Sequence, residues 1–153
     1  GLLDIGVMYN PRQTPGLVIE DLLEETLVLV ATDQRKLTAG WIEDYVFVDW
    51  GAAFRRRHSE VFPDMDTPAV SVGLGSLGLE YIIQNGGSGY FPVRVVEPEI
   101  ERGELFVVAD APTMQRPAYM VYPEVARFRE TLDLALTGLR EIAQQWEPRQ
   151  NVL

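Results

Sequence analysis

In the middle of the chain, short apolar runs alternate with helix-like runs, and this alternation constrains the fold more than any other feature. "YVFVDW" (Tyr45 to Trp50) reads as a buried strand, and "GAAFRRRHSEVF" (Gly51 to Phe62) as a helix stopped by Pro63. Ala69 to Val72 is the next strand, and a helix follows from Ser76 to Asn85, where Gly86 and Gly87 stop it. "SGYF" is a short strand closed by Pro92. Strands connected through helices pair in parallel, with the helices packed against the sheet. The predicted fold class is therefore α/β, a mostly parallel sheet with helices on both faces. Ligands of such sheets sit beyond the carboxyl ends of the strands, where helix N-termini offer unpaired amides. Three ends of this kind are readable: Asp49-Trp50-Gly51, Gly73-Leu74-Gly75-Ser76 and Tyr90-Phe91-Pro92.

The flanks are simpler. Leu2 to Tyr9 reads as a strand and Asn10 to Gly16 as a turn, by its Pro and Gly content. "LVIEDLLEETLVLVAT" (Leu17 to Thr32) splits into strand-like runs at Leu17 to Leu23 and Thr26 to Ala31. A single helix is the rival reading, but the β-branched "LVLVAT" favours strand. Arg116 to Pro123 is a further strand. Glu124 to Trp146 is the longest helix, with Val125, Phe128, Leu132, Leu136, Leu139 and Ile142 on one stripe at steps of three and four.

Charge and composition exclude several functions. The 153 residues carry 23 acidic against 13 basic side chains, a net charge of −10. Gripping phosphate backbones requires the opposite balance, so this chain alone is a poor nucleic-acid binder. With no cysteine there is no disulfide, thiol nucleophile or thiolate metal site, which fits a reducing compartment. One histidine, His58, leaves little for a metal centre or a Ser-His-Asp triad, and no metal or cofactor is expected. No apolar run approaches the ~20 residues of a membrane span. Gly1 rather than Met opens the chain, within residues that already read as structure, so a fragment is expected.

One motif suggests an enzyme. Gly73, Gly75 and Gly78 have the Gly-x-Gly-x-x-Gly spacing of a dinucleotide-binding turn, and Glu97 lies where a ribose-binding acid belongs. Against this, the following helix is short, the next strand is closed by a proline, and a strand-helix unit precedes the motif. A tight strand-to-helix turn with Ser76 as N-cap accounts for the same residues. Arg55, Arg56 and Arg57 form the one basic cluster; a solvated helix face explains them better than an anion site, and His58 reads as a surface residue. Glu20, Asp21, Glu24 and Glu25 read as a solvated strand edge. Asp49, Trp50, Tyr90 and Phe91 fall at strand ends and could line one pocket, or the aromatics could simply plug the sheet.

Read in order, several stretches resemble the effector-binding domain of LysR-type transcriptional regulators. They are "LDIGVMY", the acidic-then-"LVLV" strand pair in "GLVIEDLLEETLVLVATD", "VFVDWG", "VGLGSLGLEYIIQNGGSGYFP", and "RPAYMVYPE" followed by a long amphipathic helix. The resemblance implies a periplasmic-binding-protein-like lobe within a partial effector-binding domain. Residues 10–123 would form its second lobe, 1–9 and 124–146 remnants of the first, and 147–153 a tail. Most of the first lobe and the winged helix-turn-helix would lie outside this chain. The implied function is cytoplasmic ligand sensing and oligomerisation, with DNA reached only through the separate domain. The implied effector wall is Asp49, Trp50, Gly51, Gly73, Tyr90 and Phe91, with Met8 and Tyr9 at the crossover. The Ser76 to Asn85 helix would present Leu77, Tyr81 and Ile82 to a homodimer or homotetramer, while Leu79 and Ile83 face its own sheet. A periplasmic solute-binding receptor of the same fold is the alternative, and a dinucleotide-dependent enzyme a third reading.

Overall fold

A computed structural model describes residues 4–38 and 40–146. The expected tail at 147–153 lies outside them. The chain divides into two compact units, one built from residues 4–25 with 116–146 and the other from residues 26–115. Two long strands, β2 (Leu17–Ala31) and β7 (Met114–Pro123), run through both.

In residues 26–115, the end of β2 pairs antiparallel with β5 (Ser88–Pro92), in the register Leu27↔Pro92 to Ala31↔Ser88. It also pairs antiparallel with the short β6 (Phe106–Val107). Among the described residues, parallel pairing is confined to β3 (Val46–Val48) with β4 (Val70–Val72) and a single bridge from Tyr45 to Ser88. The expectation of a mostly parallel sheet is thus corrected to a mixed α/β fold whose main sheet is antiparallel. The strand-helix alternation that suggested it spans only β3 to β5. The acidic interruption that seemed to divide β2 leaves one continuous strand of 15 residues, since Glu20, Asp21 and Glu24 are not buried and need not break the ladder.

Successive side chains of a strand point to opposite faces, so the uninterrupted apolar run Leu27–Ala31 serves two cores. Val28, Val30 and Phe91 join Val46, Val48, Ile82, Val93 and Val96 on one face, under α2 (Gly75–Asn85) and α3 (Val93–Glu101). Leu27, Leu29 and Tyr90 join Tyr45, Phe54, Val108 and Met114 on the other, under α1 (Ala52–Val61). Helices cover both faces of this unit.

In the remaining unit, β1 (Gly6–Met8) pairs antiparallel with β7, Gly6 opposite Val121 and Met8 opposite Tyr119. α4 (Arg129–Gln145) is shorter than the expected helix, because residues 124–128 precede its first turn. Its buried stripe is Leu132, Leu136 and Ala143, with Leu139 half-buried; Val125, Phe128 and Ile142 are exposed instead. Leu132, Leu136 and Leu139 pack with Met120, Ile5, Leu22 and Tyr122. Among the described residues, no helix is long and apolar enough to cross a membrane.

Candidate functional site

The end of β3 and the start of α1 form a small polar corner. The Asp49 amide donates to the carbonyl of Val72 at 2.9 Å, which ties it to the neighbouring strand end. Its carboxylate accepts from the amide of Gly51 at 2.9 Å and from Arg55 Nη1 at 2.7 and 2.6 Å. A carboxylate at a helix N-terminus is favoured by the partial positive charge of the first-turn amides. Arg55 is exposed, as expected of a solvated helix face, and it also lies one turn into α1 and closes back onto Asp49. Its sequence signal was that spacing, a cation one turn beyond an acid at the helix entry. Arg57 does stay at the surface, 3.5 Å from Glu60.

Trp50 is half-buried and held from two sides. Its Nε1 donates to the carbonyl of Tyr90 at 2.7 Å, and its ring meets Phe91 edge-on, with centroids 6.0 Å apart. Beneath it lies Gly75, where a Cβ would come within 2.2 Å of the indole. A Cβ at Gly78 would lie 2.7 Å from Val48 and 2.9 Å from Val72. Close packing therefore requires two of the three glycines, Gly75 against the Trp50 ring and Gly78 against β3 and β4, while Gly73 is exposed with open space around it. No side chain caps α2: Leu74 occupies the N-cap position, so the expected Ser76 cap is absent. The helix begins one residue earlier than expected, which places Ser76 inside the first turn.

Tyr90 and Phe91 do not line an accessible wall. Both are fully buried, since β5 is covered on each face and each ring enters one core. The Tyr90 hydroxyl donates to the carbonyl of Pro112 at 2.8 Å. Their role at this corner is to support Trp50 from behind. Met8 and Tyr9 belong to the other unit: Met8 is exposed on β1, and Tyr9 stacks on the guanidinium of Arg116, 3.4 Å from ring centroid to Cζ. Arg116 also pairs with Glu25 at 3.8 Å, and Glu25 is buried rather than solvated.

On α2, Leu77 is 52% and Tyr81 40% exposed, but Ile82 is 0% exposed and belongs to the core. Ile82 is thereby corrected from interface anchor to core residue: it follows the buried Gly78 by four positions on the face turned to the sheet. Ile83, expected to face that sheet, is exposed, and Leu79 is half-buried.

His58 is likewise corrected from surface to core. It sits four residues after Phe54 on the inner face of α1, and its Nε2 lies 2.8 Å from the Tyr45 hydroxyl. Phe47, Phe54, Phe62 and Tyr90 surround it. Burial pushes its pKa down to about 4 and raises that of Tyr45 above the ordinary phenol range.

A concavity of about 640 Å³ occurs elsewhere in residues 26–115, lined by Arg35, Lys36, Leu105, Phe106, Val107 and Asp110 among others. None of the expected site residues lines it. Among the described residues, no group of three or more His, Asp or Glu side chains is placed to hold a metal ion.

Comparison with known proteins supplies the family. The family model of the LysR substrate binding domain matches residues 1–144. No curated protein sequence matches significantly. The fold is similar to that of full-length LysG from Corynebacterium glutamicum with bound effector Arg, at 17% identity and a TM-score of 0.66, covering 92% of this chain and 52% of that one. The bromide-bound regulatory domain of HypT from Salmonella typhimurium gives 17% identity and a TM-score of 0.70, covering 91% of this chain and 73% of that one. A regulatory domain of OxyR2 from Vibrio vulnificus gives 12% identity and a TM-score of 0.62, covering 94% and 72%. The chain thus spans about half the length of full-length LysG.

Proposed function

The chain belongs to the LysR substrate-binding domain family, and from that premise we propose that it senses a small-molecule effector and self-associates, so modulating DNA binding by a separate helix-turn-helix. The observation that carries the effector reading is the polar corner at the β3 end. Asp49, the Gly51 amide and Arg55 there surround one helix N-terminus beside a braced indole. The proposed contact residues in residues 26–115 are Asp49, Trp50, Gly51 and Gly73. Trp50 supplies an apolar face, and a zwitterionic or mixed-charge metabolite that opens the Asp49–Arg55 pair gives each charge a new partner. An effector shifts an oligomer only by binding one arrangement better than another.

LysG carries Arg as its effector, so amino acids and small organic acids make the first panel. Binding should change Trp fluorescence. Asp49→Asn should then weaken the best ligand at least about tenfold, the loss of one charge-assisted contact. A ligand that binds equally well to Asp49→Asn and Trp50→Phe would place the effector site elsewhere.

For self-association, the proposed surface is the exposed face of α2 carrying Leu77 and Tyr81. Leu77→Glu with Tyr81→Glu should reduce the oligomer without unfolding the chain, because both residues are exposed. An unchanged mass in sedimentation would remove α2 from the interface.

A further inference from the structure

Arg55 stands where a helix does not favour a cation. α1 has no acidic residue in its first turn, and Arg55 follows its first residue, Ala52, by three positions. The partial positive charge of the first-turn amides opposes a guanidinium nearby, so helix stability does not call for this residue. Its tie to Asp49 is also incomplete. Both contacts, 2.7 and 2.6 Å, run from Nη1 alone. Among the described residues, Nη2 and Nε donate to nothing, and the side chain is 52% exposed. A guanidinium fork suited to two parallel bonds with a carboxylate is thus only partly engaged.

The two partners are held unequally. The Asp49 amide bonds to the Val72 carbonyl and its carboxylate takes the Gly51 amide, so backbone contacts fix the acid in place. The Arg55 guanidinium is held by Asp49 alone, at the end of a long side chain. Opening the pair therefore moves Arg55 and leaves Asp49 where it is. An exposed pair of this kind is worth little, so a ligand can open it. A simple amine would take Asp49 and leave Arg55 beside it, cation against cation. An α-amino acid brings an ammonium group for Asp49 and, on the same carbon, a carboxylate for the open Nη2 and Nε edge of Arg55. We infer that Arg55 determines specificity at this corner: it is a built-in rival of the ligand's cation and the partner of the ligand's carboxylate, so the site takes amino-acid zwitterions and refuses the matching amines. The inference rests on the effector reading above and narrows it to one ligand class.

Calorimetry with matched ligands tests it: arginine with agmatine, phenylalanine with phenethylamine, leucine with isopentylamine. Within each pair the probes differ only in the carboxylate. The chain should bind at least one of these amino acids at least about tenfold more tightly than its amine. In Arg55→Gln that amino acid should bind at least about tenfold more weakly, for want of its carboxylate partner. The amine should bind about threefold more tightly, because its rival for Asp49 is gone. Arg55→Lys keeps the charge and should restore the refusal of the amine, but not the full affinity for the amino acid, since a point charge replaces the fork. Both variants change an exposed side chain and should melt as the parent chain does. A merely structural role would weaken both ligands alike, and that result would overturn the inference, as would an amine affinity unchanged in Arg55→Gln. If no amino acid binds but a small organic acid does and is lost in Asp49→Asn, the effector reading stands and this inference falls. Amino-acid binding that survives Asp49→Asn would remove the effector from this corner, and the role of Arg55 with it.

Discussion

Residues 26–115 carry two cores, one on each face of β2 and β5, with α1, α2 and α3 packed over them. Residues 4–25 with 116–146 carry a single small core of Met120, Leu132 and Leu136 beneath α4. Large apolar side chains reach the surface in both: Leu74, Leu77, Tyr81 and Ile83 on or beside α2 in the first. Val125, Phe128, Leu134, Ile142 and Trp146 are all exposed within one short stretch of the second unit. Scattered apolar residues at a surface are ordinary, and of these five only Leu134 and Ile142 lie on α4 itself. The depth of the cores, two against one, is what separates the units, and core removal is the test that reads it.

The sharpest form of that contrast is a pair of truncations. Phe91→Ala in the double core should cost about 3–5 kcal/mol, the range for deleting a fully buried aromatic ring. Leu134→Ala on the bare face of α4 should stay within about 0.5 kcal/mol for the isolated chain. Chemical denaturation measures both, and hydrogen exchange should place the first loss within residues 26–115. Comparable costs at the two positions would abolish the distinction.

Acid should also separate the units. His58 titrates at about 4 in its aromatic cage against about 6.5 when unfolded, because burial disfavours the imidazolium. The titratable groups facing it are the Tyr45 and Tyr90 phenols, both raised by burial, so neither supplies a countercharge. The unfolded chain then binds the extra proton first. Stability is complete above pH 6.5 and declines as pH falls toward 4, by on the order of 3 kcal/mol. Exchange in residues 26–115 should accelerate over that window, and His58→Phe should flatten the slope. A pH-independent stability between 6.5 and 4 would show that the ring is more hydrated than its surroundings imply.

A third prediction concerns the glycine turn. Gly78→Ala drives a methyl group into Val48 and Val72 and should cost about 2 kcal/mol through overpacking. Gly73→Ala, in open space, should be nearly neutral. A nucleotide-binding turn would instead show its loss in ligand affinity at all three glycines.

These contrasts explain which parts of the fold were legible in the sequence. Strands and helices around β3, α1, β4 and α2 were readable because each is short, periodic and bounded by Pro or Gly. Strand direction was not, because the run of Leu27–Ala31 looks the same whether its partner is parallel or antiparallel. The corner at Asp49 was readable from its place at a strand end. Tyr90 and Phe91 were misplaced because an aromatic pair at such an end can line a cleft or fill two cores, and only the covering helices decide. His58 was recoverable from its four-residue spacing to Phe54. The bare face of α4 was concealed by a stripe that included Val125, Phe128 and Ile142, since a two-faced helix offers two valid apolar alignments.

The smallest expected effect lies in the thinly packed unit and concerns how α4 is oriented. Glu20 on β2 accepts from Arg140 Nε at 2.7 Å and Nη2 at 2.8 Å, and from the Tyr122 hydroxyl at 2.7 Å. The Arg140 hydrogen bonds, then that of Tyr122, lower the Glu20 pKa from 4.5 to about 2. A carboxylate with a depressed pKa contributes stability that is complete above about pH 4.5 and is lost as pH falls toward 2, below the window in which His58 titrates. Both partners are solvent-accessible, so Glu20→Gln should cost no more than about 1 kcal/mol at neutral pH. It should also shift hydrogen exchange in α4 while leaving residues 26–115 unchanged. Arg140 projects from the side of α4 away from Leu134 and Ile142, so the pair helps set which face the helix leaves bare. Unaltered hydrogen exchange in α4 of Glu20→Gln would therefore show that the packed stripe alone orients the helix.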